Sequence, residues 1–295
     1  MSRSDLLQTA RSQQSSPLYA RLGLATLDLT SLNDNDTNEV ITNLCQRALA
    51  SPEPVAALCI YAPFAGLVRN ILQENQYKAG VATVVNFPHG NNSVEEVIAE
   101  TKACLDQVDE VDLVWPFEKY IQGDKEAACN MISEVKKTIV EYNQTISSNR
   151  KPILLKVILE SSAIPADMLY DACTDAIQAG ADFLKTSTGK HPTGGATLEA
   201  AYELLRASKD AKDKHGKDIS VKISGGVKTV AQAGAYIWMA EKIMTGTDEG
   251  LTEGKESQRW VNAKNFRIGA SGVFSELVNV LAPGKEAASQ GDGSY

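Results

Sequence analysis

The chain has 295 residues, of which 43% are hydrophobic and 22% charged, the composition of a globular protein with one large core. Its formal net charge is -8 and it has no basic cluster with interleaved aromatic residues, which argues against nucleic-acid binding. No apolar run has the length of a signal-peptide core or a membrane span, so we expect a cytoplasmic protein with no membrane partner.

Cysteines and histidines argue against two further kinds of site. The five cysteines lack CxxC spacing and are odd in number, so we predict reduced thiols and no disulfide framework. The three histidines form no HxxxH or HExxH pattern, which argues against a histidine-built zinc site. The sequence therefore predicts chemistry with no metal and no cofactor.

Short runs of branched residues alternate with helical patterns along most of the chain. The predicted strands are Leu24 to Asp28, Ala56 to Tyr61, Val81 to Val85, Glu110 to Val114, Ile153 to Ile158, Phe183 to Ser187, Ile219 to Ser224 and Phe266 to Gly269. The predicted helices are Asn38 to Leu49, Ser93 to Gln107, Lys125 to Tyr142, Ala166 to Ala179, Thr197 to Lys212 and Thr229 to Met244. Eight alternations in a chain slightly longer than ~250 residues predict a (β/α)8 TIM barrel, with a doubly wound open sheet as the alternative.

Three segments extend this predicted barrel, and we interpret residues 1–295 as a single domain. An N-terminal extension, 1–20, holds a predicted helix from Ser4 to Ser12. Thr245 to Gln258 is predicted to be a polar loop. The Gly, Ser and Ala content of the tail, 283–295, predicts mobility.

Three lysines lie in three apolar strands, an arrangement that favours a catalytic amine. Lys185 lies in FLKTSTGK, Lys222 in ISVKISGGV and Lys156 in ILLKVILE. Burial disfavours the ammonium form, and a neutral amine is a nucleophile that forms imines with aldehydes. A second ammonium at Lys222 would lower the pKa of Lys185 further, so Lys185 is the candidate nucleophile. For Lys156, a structural role and a place in a proton network are equally good interpretations.

The C-terminal ends of the strands should carry the chemistry of a barrel of this kind. Asp28 ends the first predicted strand and Asp112 lies within the fourth, DEVDLVWP. A carboxylate in such an apolar strand needs a cationic partner; Asp112 is either a structural ion-pair partner or, as we favour, a proton relay beside an amine. Cys59 is interpreted as a buried small hydrophobe, which would be exposed to reactive aldehydes if it faced the barrel mouth.

Glycines follow the last two strands and indicate an anion site. Gly225 and Gly226 precede a predicted helix, whose N-terminus and backbone N–H groups can hold a phosphate, and RIGAS (267–271) would form the other half. These are the loops where phosphate-binding barrels hold phosphate, although a glycine pair alone often marks only a turn. Lys190 is either a mobile phosphate contact or a solvated loop lysine.

With these motifs in view, the chain resembles the class I deoxyribose-phosphate aldolases over essentially its whole length, in the longer form that ends in a tyrosine. The stretches that carry the resemblance are LDLTSLNDNDT, CIYAPF, ATVVNFPHG, DEVDLVWP, LLKVILE, GADFLKTSTGK, VKISGGV and RIGAS. The combination of KTSTGK with a later KxxGG is the most specific of them.

The resemblance implies reversible cleavage of 2-deoxy-D-ribose 5-phosphate to acetaldehyde and D-glyceraldehyde 3-phosphate through a Schiff base on Lys185. It implies that Asp112 and Lys222 transfer protons, that Asp28, Lys156, Cys59 and Thr188 support them, and that Tyr295 reaches the site from the tail. The implied phosphate contacts are Gly189, Lys190, Gly225, Gly226, Val227, Lys228, Gly269 and Ser271. A homodimer is the assembly it suggests.

Two other functions are compatible with these residues. One is a lysine-dependent or phosphate-binding barrel that acts on a different sugar phosphate. The other is a sugar-phosphate sensor without turnover, which would need the phosphate site but would have no use for an imine-forming amine.

Overall fold

Eight parallel strands close into a barrel in chain order, with β8 pairing with β1. The strands of this computed structural model, which describes residues 1–148, 150–252 and 254–284, are β1 (Leu27–Thr30), β2 (Ala57–Ile60), β3 (Gly80–Val85), β4 (Glu110–Val114), β5 (Leu154–Ile158), β6 (Phe183–Lys185), β7 (Ser220–Ser224) and β8 (Phe266–Ala270). The predicted TIM barrel is confirmed, and the doubly wound alternative is wrong.

Helices follow the strands and cover the barrel wall. They are α1 (Arg3–Arg11), α2 (Pro17–Ala25), α3 (Asn38–Leu49), α4 (Ala65–Glu74), α5 (Val94–Cys104), α6 (Phe117–Ile121), α7 (Lys125–Asn143), α8 (Leu169–Ala179), α9 (Leu198–His215), α10 (Val230–Thr245) and α11 (Phe274–Leu281). Side-chain caps set several of their starts: Thr37 accepts a hydrogen bond from Val40 N before α3, and Thr229 and Gln232 form a capping box at α10.

The sequence-based assignment missed four helices: α2, α4, α6 and α11. The first of them, α2, is apolar on nearly every side because it is buried, so it has no polar face to reveal a helical period. The first strand is predicted to begin at Leu24, within the last turn of this helix, whereas β1 begins at Leu27. The predicted N-terminal helix is confirmed as α1.

Two predicted segments outside the barrel have different outcomes. The loop from Thr245 to Gln258 contains two short 3-10 helices, Glu249–Leu251 and Glu256–Gln258. The predicted mobile tail lies outside the described residues from 285 onward. Across the described ranges, no helix is long and apolar enough to cross a membrane.

The barrel interior is divided into an apolar and a charged part. On the side of β1 to β3 it is filled by a small cluster of Leu32, Ala57, Cys59, Ala82 and Val84. On β1 and on β4 to β8, charged residues occupy inward positions that alternate with core residues, as the two-residue period of a strand requires. The fold therefore buries ionisable groups in the barrel interior beside small apolar side chains.

Alpha-helix α2 packs closely on α10, and this contact generates a stability prediction. A Cβ atom on Gly234 would lie 2.5 Å from the Tyr19 ring, whereas a Cβ on Gly66 in α4 would meet nothing closer than 3.7 Å. We expect Gly234→Ala to lower the free energy of unfolding by about 1 to 3 kcal/mol through overpacking. Gly66→Ala, the matched control, should raise it by about 0.5 kcal/mol because alanine restricts the unfolded chain. Denaturant titration of both variants measures this, and equal effects would contradict the packing.

Candidate active site

One carboxylate holds three lysine side chains at the centre of the barrel. Strand register places Lys185 beside Lys222 and Asp112 beside Lys156. Lys185 and Lys222 each donate to Asp112 Oδ2 over 2.8 Å, and Lys156 donates to Oδ1 over 2.8 Å. All four side chains are buried. Residues that are far apart in the sequence are thus brought into one hydrogen-bonded cluster.

Two more carboxylates and an arginine extend this cluster below Asp112. Asp28 Oδ2 lies 2.5 Å from Lys222 Nζ, and Glu110 Oε2 accepts a hydrogen bond from Lys156 over 2.5 Å. Arg267 donates to both of these carboxylates, to Asp28 Oδ1 over 2.5 Å and to Glu110 Oε1 over 2.7 Å. We call these seven side chains the barrel network: Asp28, Glu110, Asp112, Lys156, Lys185, Lys222 and Arg267.

Sequence reasoning missed Glu110 and Arg267. Each stands at or next to the start of its strand, where charged residues commonly lie in solvent. The available signal was the strand period: Glu110 lies two positions before Asp112, and Arg267 two before Gly269, so each shares the inward face of its strand with a predicted site residue.

The barrel network favours the neutral amine at Lys185. Burial lowers the pKa of Lys185; the carboxylate of Asp112 opposes this and Lys222 adds to it, and the pKa stays below its ordinary value. Burial acts on Lys222 too, but Asp112 and Asp28 outweigh it and raise its pKa well above the ordinary value. The pKa of Lys156 is likewise raised, because the carboxylates of Asp112 and Glu110 outweigh the effect of burial. Lys185 is therefore the lysine of this cluster that loses its proton most readily.

Cys59 is fully buried in the apolar cluster, although its charge interactions include Lys185 and Lys222. Burial raises the pKa of its thiol, so the thiolate is disfavoured. This environment matches the expectation of a small buried hydrophobe.

The turn after β6 is fixed by hydrogen bonds to its neighbours. Thr186 Oγ1 donates to Ser224 O and accepts from Ser224 N, which ties the end of β6 to the end of β7. Thr188 donates to Glu160 Oε2 from both its hydroxyl and its backbone nitrogen, and Lys190 N donates to Thr188 Oγ1. Glu160, which sequence reasoning missed, is buried with a left-handed φ of 55° after β5. Through these hydrogen bonds Glu160 fixes the position of the turn that follows Lys185.

The loops after β6 and β7 are packed backbone on backbone. A Cβ atom on Gly195 would lie 2.4 Å from the Gly225 carbonyl carbon, so the two loops can approach only with glycine at that position. Ala196 N donates to the carbonyls of Ser224 and Gly225. Gly226 is exposed beside this contact and leads through Val227 and Lys228 to the N-terminus of α10, a suitable position for an anion.

The other predicted phosphate residues surround this position or lie deeper. Gly189 and Lys190 lie in the turn after β6, and Ser271 follows β8 with a buried hydroxyl that has no hydrogen-bond partner among the described residues. Gly269 lies in the barrel wall, where a Cβ atom would be 2.8 Å from Lys222 Cε. Its absent side chain makes room for a barrel-network lysine. Tyr295 lies outside the described residues.

A protein-family model described as a DeoC/LacD family aldolase matches residues 24–254. This chain belongs to the DeoC/LacD family of aldolases. It is 40% identical over 270 residues to a deoxyribose-phosphate aldolase of Agrobacterium fabrum (strain C58 / ATCC 33970), which covers 91% of this chain and 93% of the relative.

Solved structures of low sequence identity share the fold. A tetrameric deoxyribose phosphate aldolase from Aeropyrum pernix has a TM-score of 0.67 at 21% identity, covering 95% of this chain and 98% of that one. An aldolase called QR15 has a TM-score of 0.64 at 24% identity, covering 86% and 94%. The barrel of this aldolase is thus the fold of both.

The close approach of Gly269 to Lys222 generates a prediction about activity. Gly269→Ala should displace the Lys222 side chain from Asp112 and lower aldolase turnover by at least about 10-fold, since small misplacements of catalytic groups are costly. Steady-state kinetics measures this, and the melting temperature shows whether the variant is folded. Gly66→Ala, far from the barrel network, should retain full turnover. A folded Gly269→Ala protein with full turnover would contradict the role of this contact.

Proposed function

We propose that this aldolase catalyses the reversible cleavage of 2-deoxy-D-ribose 5-phosphate to acetaldehyde and D-glyceraldehyde 3-phosphate. The observation that carries the proposal is the contact between Lys185 Nζ and Asp112 Oδ2, 2.8 Å long, inside a barrel where burial and a neighbouring lysine lower the pKa of Lys185. An imine-forming amine is what cleavage of an aldehyde sugar requires. The Agrobacterium fabrum relative, by its name, acts on deoxyribose phosphate.

Lys185 is the proposed nucleophile. As a free amine it attacks C1 of the open-chain sugar, and the carbinolamine then loses water to leave an iminium ion. The C3 hydroxyl loses its proton, the C2–C3 bond breaks, and its electron pair moves into the iminium. Glyceraldehyde 3-phosphate departs and leaves an enamine on Lys185. Protonation of that enamine at C2 and hydrolysis release acetaldehyde and restore the amine.

Asp112 and Lys222 are the proposed proton-transfer pair. Their charged atoms are 2.8 Å apart, and Asp112 Oδ2 is the same distance from the reacting amine of Lys185. A group that accepts a proton from the carbinolamine nitrogen or donates one to its hydroxyl must lie within hydrogen-bond reach of that atom. Asp28 and Lys156 hold the pair in place through their contacts within the barrel network.

The phosphate is proposed to bind at the glycine loops. Gly189, Gly225, Gly226 and Val227 would present backbone N–H groups, and Ser271 would donate its hydroxyl. Lys190, Lys228 and the N-terminus of α10 would add positive charge. Gly269 would contribute from the wall of the barrel. Such a site positions the sugar and takes no part in bond cleavage.

Several further properties remain proposals drawn from the family. Tyr295 would assist protonation of the enamine, so its deletion should slow proton transfer more than it weakens binding. Thr188 and Cys59 would support the site from the turn after β6 and from the apolar cluster. We also propose a single-domain, cytoplasmic homodimer whose partners are sugar phosphates and small aldehydes, with no nucleic acid and no membrane.

Removal of the amine tests the proposed reaction. Lys185→Leu should abolish turnover of 2-deoxyribose 5-phosphate, because leucine cannot form an imine. In the unaltered protein, borohydride reduction in the presence of this substrate should leave a stable adduct on Lys185, located by peptide mass mapping. Turnover by a folded Lys185→Leu variant, or an adduct found only on another lysine, would refute the assignment.

Removal of a loop charge tests the phosphate site. Lys190→Met should raise KM for 2-deoxyribose 5-phosphate by about 10-fold, the loss of one charge-assisted contact. The same variant should cleave unphosphorylated 2-deoxyribose at the unaltered rate, because that sugar makes no use of the phosphate site. Lys217→Met, in the turn after α9, is the matched surface control and should change neither value. Equal losses with both sugars would place Lys190 elsewhere in the mechanism.

A further inference from the structure

Arg267 takes no part in the proposed steps, yet its side chain is buried and holds two carboxylates. Only 6% of the residue is exposed, and its guanidinium spans from Asp28 to Glu110, with donor–acceptor distances of 2.5 and 2.7 Å. Burial opposes its charge, but the two carboxylates outweigh burial and raise its pKa. An arginine in this position is a permanent cation.

The permanent charge of Arg267 affects the balance between carboxylates and basic groups in the barrel network. The barrel network has three carboxylates, Asp28, Glu110 and Asp112, and four basic groups. Lys156 lies within 3.6 Å of all three carboxylates, Lys222 contacts two and Arg267 contacts two. Among the carboxylates of the described residues, Lys185 contacts only Asp112, and it shares that carboxylate with two other lysines. Three cations balance three carboxylates, so a fourth would be an unmatched buried charge.

We propose that Arg267 is a positioning residue that keeps Lys185 in its free-amine form by occupying Asp28 and Glu110, so that the remaining carboxylate charge is satisfied by Lys156 and Lys222. This inference deepens the proposed function and rests on it. Two chains of contacts connect Arg267 to the reacting amine. One runs through Asp28 and Lys222 to Asp112, and the other through Glu110 and Lys156 to Asp112.

Without the guanidinium, three carboxylates would face only two fixed cations. The low-dielectric interior would then favour a proton on Lys185, because that proton would balance the remaining negative charge. The ionisable groups that act electrostatically on Lys185 are Asp112 from β4, Lys222 from β7 and Cys59 from β2. Glu160, after β5, also interacts with the charge of Lys185. The other network members, Asp28 from β1, Glu110 from β4, Lys156 from β5 and Arg267 from β8, are connected to it through their ion pairs. Only the barrel-network members form ion pairs with one another, since burial disfavours the Cys59 thiolate and Glu160 accepts its hydrogen bonds from Thr188, outside the network.

The test measures how the free-amine fraction of Lys185 depends on pH. Each protein is incubated with acetaldehyde and cyanoborohydride over a range of pH, and the rate of stable adduct formation at Lys185 is followed by peptide mass mapping. Arg267→Met should move the midpoint of this profile to higher pH by about one unit. Glu110→Gln, which removes a negative charge in nearly the same shape, should move it to lower pH.

Two further variants separate charge from packing. The double variant Glu110→Gln with Arg267→Met has two carboxylates and two fixed cations, so its midpoint should return to that of the unaltered protein. Arg267→Lys keeps the charge and should keep the midpoint as well. A residue with a purely structural role would give shifts of the same sign in both single variants, and a larger shift in the double variant, or no shift at all.

The outcomes distinguish this inference from the proposed function. No adduct on Lys185 in the unaltered protein would refute the Schiff-base chemistry itself. An adduct whose midpoint is the same in Glu110→Gln, or one that does not return in the double variant, would refute the role of Arg267 alone. If Arg267→Met does not fold, these two variants and Arg267→Lys still decide the question.

Discussion

The carboxylate of Asp112, shared by Lys156, Lys185 and Lys222, is the contact on which the rest of the site depends. Each of these lysines is fully or almost fully buried, and a buried ammonium without a carboxylate would be strongly destabilising. Asp112 cannot neutralise more than one ammonium group, so Asp28 and Glu110 are required as well, and the three carboxylates together balance Lys156, Lys222 and Arg267. The charges of these three carboxylates and four basic groups thus depend on one another and form a single network.

The barrel topology makes this solution available. Inward positions on adjacent parallel strands lie side by side, so one or two charged residues at the correct phase of β1 and of β4 to β8 form a continuous cluster. On β2 and β3 the corresponding positions are small, apolar and buried. Charged side chains, which would destabilise a core if they were unpaired, here set the pKa of Lys185. The glycine loops lie above Lys185, at the C-terminal ends of β6 to β8.

Much of the barrel and the centre of the site could be predicted from the sequence, for a physical reason. A charged residue within an apolar strand is conspicuous, and Asp112, Lys156, Lys185 and Lys222 all have that setting. Glu110 and Arg267 lie near the starts of their strands, where charged residues are common, so the sequence does not single them out, although their ion pairs complete the network. Glu160 lies in a turn and reveals its role only through its backbone conformation and its hydrogen bonds to Thr188. The helix α2 was missed because burial removes the amphipathic period by which helices are found.

Of the three barrel lysines, Lys185 alone has a pKa below the ordinary lysine value, because burial and the neighbouring Lys222 disfavour its ammonium form. The direct measurement is a pH titration by 15N NMR of protein labelled at the lysine side-chain nitrogens, with the Lys185 signal assigned by its loss in Lys185→Leu. We expect Lys185 to titrate clearly below the ordinary lysine pKa of about 10.4, while Lys156 and Lys222 remain ammonium groups over the whole range in which the protein is folded. A Lys185 signal that stays that of an ammonium group up to pH ~10.4 would contradict this expectation.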